Sequence, residues 1–260
     1  MSTEPDLIEF SRFAHALADA AREVTMGYFR RPIAVESKAD ASPVTIADRN
    51  TEKRMRELIA ERFPAHGIYG EEYGNDMAGQ SHVWVLDPID GTKSFITGLP
   101  TFGTLIALMR GEQTLVGIIE MPALGERFVG VQGHTTTWNG LVCASRRCER
   151  LEDAVMYSTS LDQFIGIERA CYDAIAAAVK LRRFGGDCYS YGLLAGGFVD
   201  LVVESDMEPY DFMALVPVVE GAGGVISDWH GQPLGLQSEG HVLAAATTEL
   251  HERALNVLRL

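Results

Sequence analysis

The stretch that most restricts this chain is Trp84-Val-Leu-Asp87-Pro-Ile-Asp90-Gly91-Thr92-Lys93-Ser94-Phe95. His82–Leu86 is short, apolar and partly β-branched, the pattern of a buried strand. It delivers Asp87 at its C-terminal end. Pro88 has no amide hydrogen for a ladder, so the strand is expected to stop and the chain to turn there. Asp90 follows, and Gly91 lets the backbone approach a ligand closely. If a helix begins after Gly91, the Gly91 and Thr92 amides make an anion cradle.

Two carboxylates this close repel each other unless a cation lies between them. Magnesium takes hard oxygen ligands together with water and phosphate oxygens, so the arrangement suits a metal with a phosphate beside it. Read alone, Asp90-Gly91 is also ordinary turn chemistry. Further acids sit at element ends. Glu71-Glu72 follows Ile68-Tyr69-Gly70, Glu204 closes the apolar run from Asp200, and Asp211 stands at a helix start. Singly, these read as a surface pair or as helix N-terminal charges. Together they match the habit of ligands to gather at strand ends in α/β architectures.

The flanking pattern falls into two halves. Asp6–Arg30 and Ala47–Arg62 carry helical apolar spacing, and Thr45-x-x-Asp48 has the form of a capping box. Thr104–Met109, Thr114–Met121 and Arg127–Gln132 read as strands, giving an α+β half. Beyond it, strands at Val155–Thr159, Leu181–Phe184, Asp200–Glu204, Val225–Asp228 and Val242–Ala246 alternate with helices at Asp162–Val179, Tyr189–Gly196, Tyr210–Gly221 and Glu249–Leu258. That alternation predicts an α/β half. The boundary is placed near Cys143–Arg150, giving halves 1–145 and 146–260. Gly221–Gly224 follows a helix, so it reads as a helix C-terminus and turn rather than a phosphate loop.

Composition narrows the function classes. The 260 residues are 47% apolar and 22% charged, as in an ordinary globular protein. The net charge of −14 has no basic stripe to offset it, which argues against nucleic acid and anionic membrane surfaces as partners. Such a chain still binds phosphate if cations bind first. Cys143, Cys148, Cys171 and Cys188 show no metal or redox spacing, and no apolar run is long enough to span a membrane. The N-terminus has no signal-peptide pattern, so a cytoplasmic enzyme is expected. The histidines show no H-x-H or H-E-x-x-H, and no G-x-S-x-G occurs, which disfavours zinc and serine hydrolases.

Taken together, these motifs resemble the inositol monophosphatase family. Trp84–Phe95 is similar to its W-x-x-D-P-I-D-G-T-x-N-F signature, Gly70-Glu71-Glu72 to its G-E-E element, and Pro43–Asp48 to its P-V-T-x-A-D element. Tyr210-Asp211 through Gly224 resembles its second signature. The matches run in order over nearly the whole chain. Tyr210 in place of the usual Trp, the missing A-A-G after Asp211, and Asp187 bring the chain closest to the histidinol-phosphate phosphatase subgroup. Ser94 in place of Asn is a minor departure with no expected consequence for metal binding.

The resemblance implies a layered αβαβα sandwich of the sugar phosphatase type (α+β / α/β), usually a homodimer. It implies a phosphate monoesterase acting on a small phosphorylated substrate with two to three Mg²⁺ per active site. The first ion would take Glu71, Asp87 and the Ile89 carbonyl, and the second Asp87, Asp90 and Asp211. Glu71 and Thr92 would orient a water, with Glu71 helping to take its proton, and Asp48 would support the metal waters. Thr92 and Asp48 also have plain capping readings. The Gly91 and Thr92 amides would hold the phosphate. Asp187, Glu204 and Asp211 would meet the cationic end of L-histidinol, although Asp187 also reads as an N-cap for the helix after it. Rival esters are inositol phosphate, fructose-1,6-bisphosphate and 3′-phosphonucleotides, with Lys93, Arg182 and Arg183 as candidate cations for a second phosphate. A rival of another class is a regulatory protein built on the same fold.

Overall fold

Phe10, Ala14, Leu17, Ala18 and Ala21 recur at helical spacing, and all are buried along one face of α1 (Glu4–Tyr28). The computed structural model describes residues 4–37, 43–77 and 79–258. Strands β1 (Val35–Ser37) and β2 (Pro43–Thr45) pair antiparallel and lead into α2 (Ile46–Arg62). The Thr45 hydroxyl accepts from the Ala47 amide and the Asp48 side chain bonds back to the Thr45 backbone, so the capping box forms with aspartate in the usual glutamate position.

The first large sheet contains β3 (Gly67–Gly70), β4 (Gly74–Asp76), β5 (His82–Asp90), β6 (Gly103–Arg110), β7 (Gln113–Met121), β8 (Glu126–Val131), β9 (Thr137–Trp138) and β10 (Leu141–Val142). Its order is β10-β9-β8-β7-β6-β5-β3-β4, and only β3 and β5 run parallel. The expected stop at Pro88 is not observed, because β5 continues to Asp90. The ladder to β6 shifts register between Asp87 and Asp90, so Pro88 falls where no amide is required. The short helix α3 (Thr92–Thr97) follows at once.

The second sheet contains β11 (Val155–Ser158), β12 (Leu181–Phe184), β13 (Leu201–Glu204), β14 (Val225–Ser227) and β15 (Val242–Ala245), in order β12-β11-β13-β15-β14. It is mixed rather than fully parallel: β11 is parallel to β12 and β13, while β15 is antiparallel to β13 and β14. Its helices are α4 (Ile167–Ala178), α5 (Tyr189–Ala195), α6 (Pro209–Phe212), α7 (Leu215–Gly221) and α8 (Thr248–Leu258). Two expected helices are shorter than their apolar patterns. The segment from Asp162 first makes its own capped turn at Leu161–Gln163, and Gly166 at φ 61° breaks it from α4. The segment from Tyr210 splits into α6 and α7, because Pro217 lacks an amide for the Met213 carbonyl and is tolerated only in a first turn.

The layers stack as α1 and α2, the large sheet, α5 and α7, the second sheet, and α4 with α8. Separate apolar clusters fill the spaces. Leu17, Met55, Trp84 and Ile106 lie on the outer face of the large sheet. Phe128, Tyr191, Phe212 and Val218 lie between the sheets. Tyr172, Ile175, Trp229 and Leu250 lie beyond the second sheet. The αβαβα sandwich is thus present. No helix among the described residues is long and apolar enough to cross a membrane.

Candidate active site

The acids meet because strand register and helix seating bring their elements to one point. Gly70 is opposite Leu86 in the parallel pair β3–β5, and the Glu71 amide donates to the Leu86 carbonyl at 3.3 Å. Glu71 and Asp87 therefore emerge side by side. Asp211 arrives from the other direction on α6, where its Oδ2 accepts from the Glu208 amide at 2.8 Å. The seat for that segment is a pair of glycines. Gly117 and Gly130 face each other across β7 and β8, and a Cβ on either would come within 2.1–2.2 Å of the Ala214 or Pro217 backbone. Removing both side chains lets the start of α7 lie directly on the sheet.

The result is a cluster in which Asp87, Asp90 and Asp211 offer carboxylate oxygens all within 4.8 Å of one another. Asp87 is buried and the other two are half-buried. Glu71 is not part of that mutual set but stands beside Asp87 and helps to raise its carboxyl. Burial, followed by the charges of Glu71, Asp90 and Asp211, holds the Asp87 carboxyl well above its usual range. Asp90 is pushed up to about 7 by burial and by Asp187, against the Cys188 amide that donates to its Oδ2 at 2.6 Å. Asp211 is raised well above its usual range by burial and then by Asp90. Desolvated acids that repel this strongly are stabilised by a hard divalent cation, and an all-oxygen donor set fits one.

Around the cluster, α2 and α3 meet through Asp48 and Thr92. Asp48 Oδ2 accepts from the Thr45 amide at 2.8 Å and hydroxyl at 2.7 Å, and Oδ1 from the Thr92 hydroxyl at 3.3 Å. The same hydroxyl lies 3.1 Å from the Ile89 carbonyl. Asp48 thus both caps α2 and holds Thr92, whereas the N-cap of α3 is Gly91 rather than Thr92. Gly91 has φ 78°, and a Cβ there would lie 2.7 Å from Asp187 Oδ2. The close approach that requires glycine is thus toward Asp187.

Asp187 does not cap α5. Cys188 occupies that position without a side-chain bond, and Asp187 Oδ2 instead accepts from the Ser94 hydroxyl at 2.7 Å. Burial raises its carboxyl, with Ser94 and Lys93 opposing. Glu204, at the end of β13, is buried. Its Oε1 accepts from the Thr159 amide and hydroxyl, both at 2.9 Å, while its Oε2 has no hydrogen-bond partner. Burial first, against those two bonds, pushes Glu204 up to about 8. A cleft of about 200 Å³ is lined by Glu71, Asp90, Thr92, Asp187, Glu204 and Asp211. Lys93 also borders it, but Arg182 and Arg183 lie on the exposed edge strand β12, away from it. The supporting roles of Ser94, Thr159 and the Cys188 amide escaped the sequence reading, since each bond joins residues distant in the chain.

Residues 6–259 match the inositol monophosphatase family. The chain is 45% identical to the chloroplastic bifunctional phosphatase IMPL2 of Arabidopsis thaliana, over 98% of this chain and 77% of that one. It is 37% identical to a histidinol-phosphatase of Chlorobaculum parvum, over 92% of each. An inositol monophosphatase from Zymomonas mobilis superposes with a TM-score of 0.89 at 44% identity, covering 97% of this chain and 98% of that one. The chain belongs to the inositol monophosphatase family.

Proposed function

We propose that the protein is a Mg²⁺-dependent phosphate monoesterase that hydrolyses L-histidinol phosphate to L-histidinol and phosphate, a step of histidine biosynthesis. The observation that carries the phosphatase reading is the approach of Asp87, Asp90 and Asp211 to within 4.8 Å. Two to three Mg²⁺ per site would be held by Glu71, Asp87, the Ile89 carbonyl, Asp90 and Asp211. When bound, they supply an acidified water and positive charge facing the leaving oxygen. Thr92, steadied by Asp48, would orient a water beside the cluster and Glu71 would take its proton. The Gly91 and Thr92 amides hold phosphate oxygens.

The leaving group is assigned from the acids at the far wall. Glu204 is buried with one oxygen unpartnered, and Asp187 and Asp211 line the same cleft. A ligand ammonium or imidazolium supplies both the missing donor and a positive charge for these acids, whereas an inositol hydroxyl donates a hydrogen bond but brings no charge. The name of the Chlorobaculum relative, a histidinol-phosphatase, accords with this choice. A regulatory, non-catalytic role is not favoured, because every acid of the family pattern is in place. We further infer a homodimer in a reducing, cytoplasmic compartment, in keeping with the free cysteines. Residues 1–145 carry most of the metal ligands and 146–260 carry Asp211 and the specificity acids.

The test is phosphate release from histidinol phosphate and inositol-1-phosphate, with Mg²⁺ and with EDTA. The expected result is a kcat/KM at least about tenfold higher for histidinol phosphate, and no release with EDTA. A preference of that size for the inositol ester overturns the substrate, and undiminished release in EDTA overturns the metal dependence.

A further inference from the structure

The turn that carries Glu71 is gripped by two side chains of α2. Glu52 and Arg56, spaced i and i+4, form an ion pair at 2.7 Å between Oε1 and Nε. Glu52 has no exposed surface. Its Oε2 accepts from the Glu72 amide at 2.7 Å and its Oε1 from the Tyr73 amide at 3.2 Å. Arg56 donates to the Gly74 carbonyl. The pair therefore binds donors and an acceptor of one turn. Gly70 supplies the space, since a Cβ there would lie 2.2 Å from Glu52 Oε1. Burying a carboxylate is costly, and here its compensation comes from Arg56 and from the turn itself. Asp48, the residue that holds Thr92, is one helical turn earlier on the same face of α2.

We infer that Glu52 is a positioning residue for the divalent-cation site, clamping the 71–74 turn so that the Glu71 carboxylate stays beside Asp87. One helix then holds both water-orienting groups, Thr92 through Asp48 and Glu71 through Glu52. This rests on the reading of Glu71 as a metal ligand.

The test is direct Mn²⁺ binding to the full chain, followed by electron paramagnetic resonance. The proteins are wild type, Glu71→Gln, Glu52→Gln, the double variant and Gly70→Ala, with circular dichroism and Tm as folding controls. Glu71→Gln and Glu52→Gln are each expected to weaken Mn²⁺ binding by about tenfold or more, the usual effect of losing an outer support at a metal site. The double variant is expected to match Glu71→Gln, because Glu52 acts through Glu71. Gly70→Ala removes no charge and is expected to weaken binding by displacing the clamp. It carries the test if Glu52→Gln does not fold. Wild-type Mn²⁺ affinity in a folded Glu52→Gln, additive losses in the double variant, or wild-type affinity in Gly70→Ala overturns the inference. Wild-type affinity in Glu71→Gln instead overturns the ligand reading on which it rests.

Discussion

Asp87 and Asp211 approach one point from different layers, Asp87 on β5 of the large sheet and Asp211 on the short helix that precedes α7, with oxygens inside the same 4.8 Å cluster. The charge of Asp211 adds to those that hold the Asp87 carboxyl up, and Asp211 is itself raised by burial and by Asp90. Asp211→Asn is therefore expected to have opposite effects on stability and activity. Without metal, the variant loses a repulsive buried charge and its Tm rises. With Mg²⁺, turnover falls by about a hundredfold or more, beyond what loss of a mere supporting group costs. Thermal unfolding in EDTA and phosphate release in Mg²⁺ check both parts. A drop in both would make Asp211 a structural residue.

Glu204→Gln separates substrate recognition from chemistry. The change keeps the Thr159 bonds largely possible and prevents the ionisation that a bound cation would favour. Its expected effect is a loss of about tenfold or more in kcat/KM for histidinol phosphate, the scale for leaving a buried polar contact unmatched. The rate on an uncharged ester such as inositol-1-phosphate is expected to stay within about threefold of wild type. Equal losses on both esters would place Glu204 in the common machinery.

Gly91→Ala strains the site in two ways, through φ 78° and through the 2.7 Å approach to Asp187. About 1–3 kcal/mol of stability is expected to be lost, the usual cost of a side chain forced into that backbone region. Urea unfolding measures it. Ser94→Ala removes the hydroxyl that donates to buried Asp187 and accepts from Thr101, and is expected to cost about 1–3 kcal/mol of stability and to raise KM for the cationic ester.

One contribution to the pH dependence of stability lies away from the acidic cluster, at His66. His66 Nδ1 accepts from Trp84 Nε1 at 3.1 Å, and its ring stacks on His82 with centroids 4.9 Å apart. Burial, then the charge of His82, lowers His66 to about 4 from an ordinary 6.5. Between those values the unfolded chain takes up a proton that the folded chain refuses. This contribution is present above about pH 6.5 and is lost progressively as pH falls toward 4. The stability advantage of wild type over His66→Asn is expected to shrink over that window, as followed by urea titrations at fixed pH. An advantage that grows on acidification would contradict the assignment.

Much of the architecture was legible because periodic apolar residues and end-of-element acids are local signals. Asp90, Glu71 and Asp211 stand where strands or helices start or stop, and the sequence marks those ends, while Asp87 lies inside β5 three residues before its end. The continuation of β5 past Pro88 was hidden, since a bulge depends on the partner strand's register. The split at Met213–Ala214 required weighing Pro217 against a strong apolar pattern. The seat formed by Gly117 and Gly130 exists only after β7 and β8 pair, so neither glycine stands out alone. Ser94 looked like a minor change from asparagine until Asp187 was seen to be its partner. Glu52 had a local signal, a charged residue on the same helical stripe as Met55 and Ile59, but what it clamps is set by the tertiary fold.

The central claim is that acids from separate elements jointly hold divalent ions where a phosphoryl group is to be bound. Anomalous diffraction from crystals soaked in Mn²⁺ tests it most directly. The account predicts peaks within coordination distance of Asp87, one shared with Asp90 and Asp211 and one toward Glu71. A saturated crystal with no peak at this cluster, or with Mn²⁺ bound only elsewhere, would contradict it.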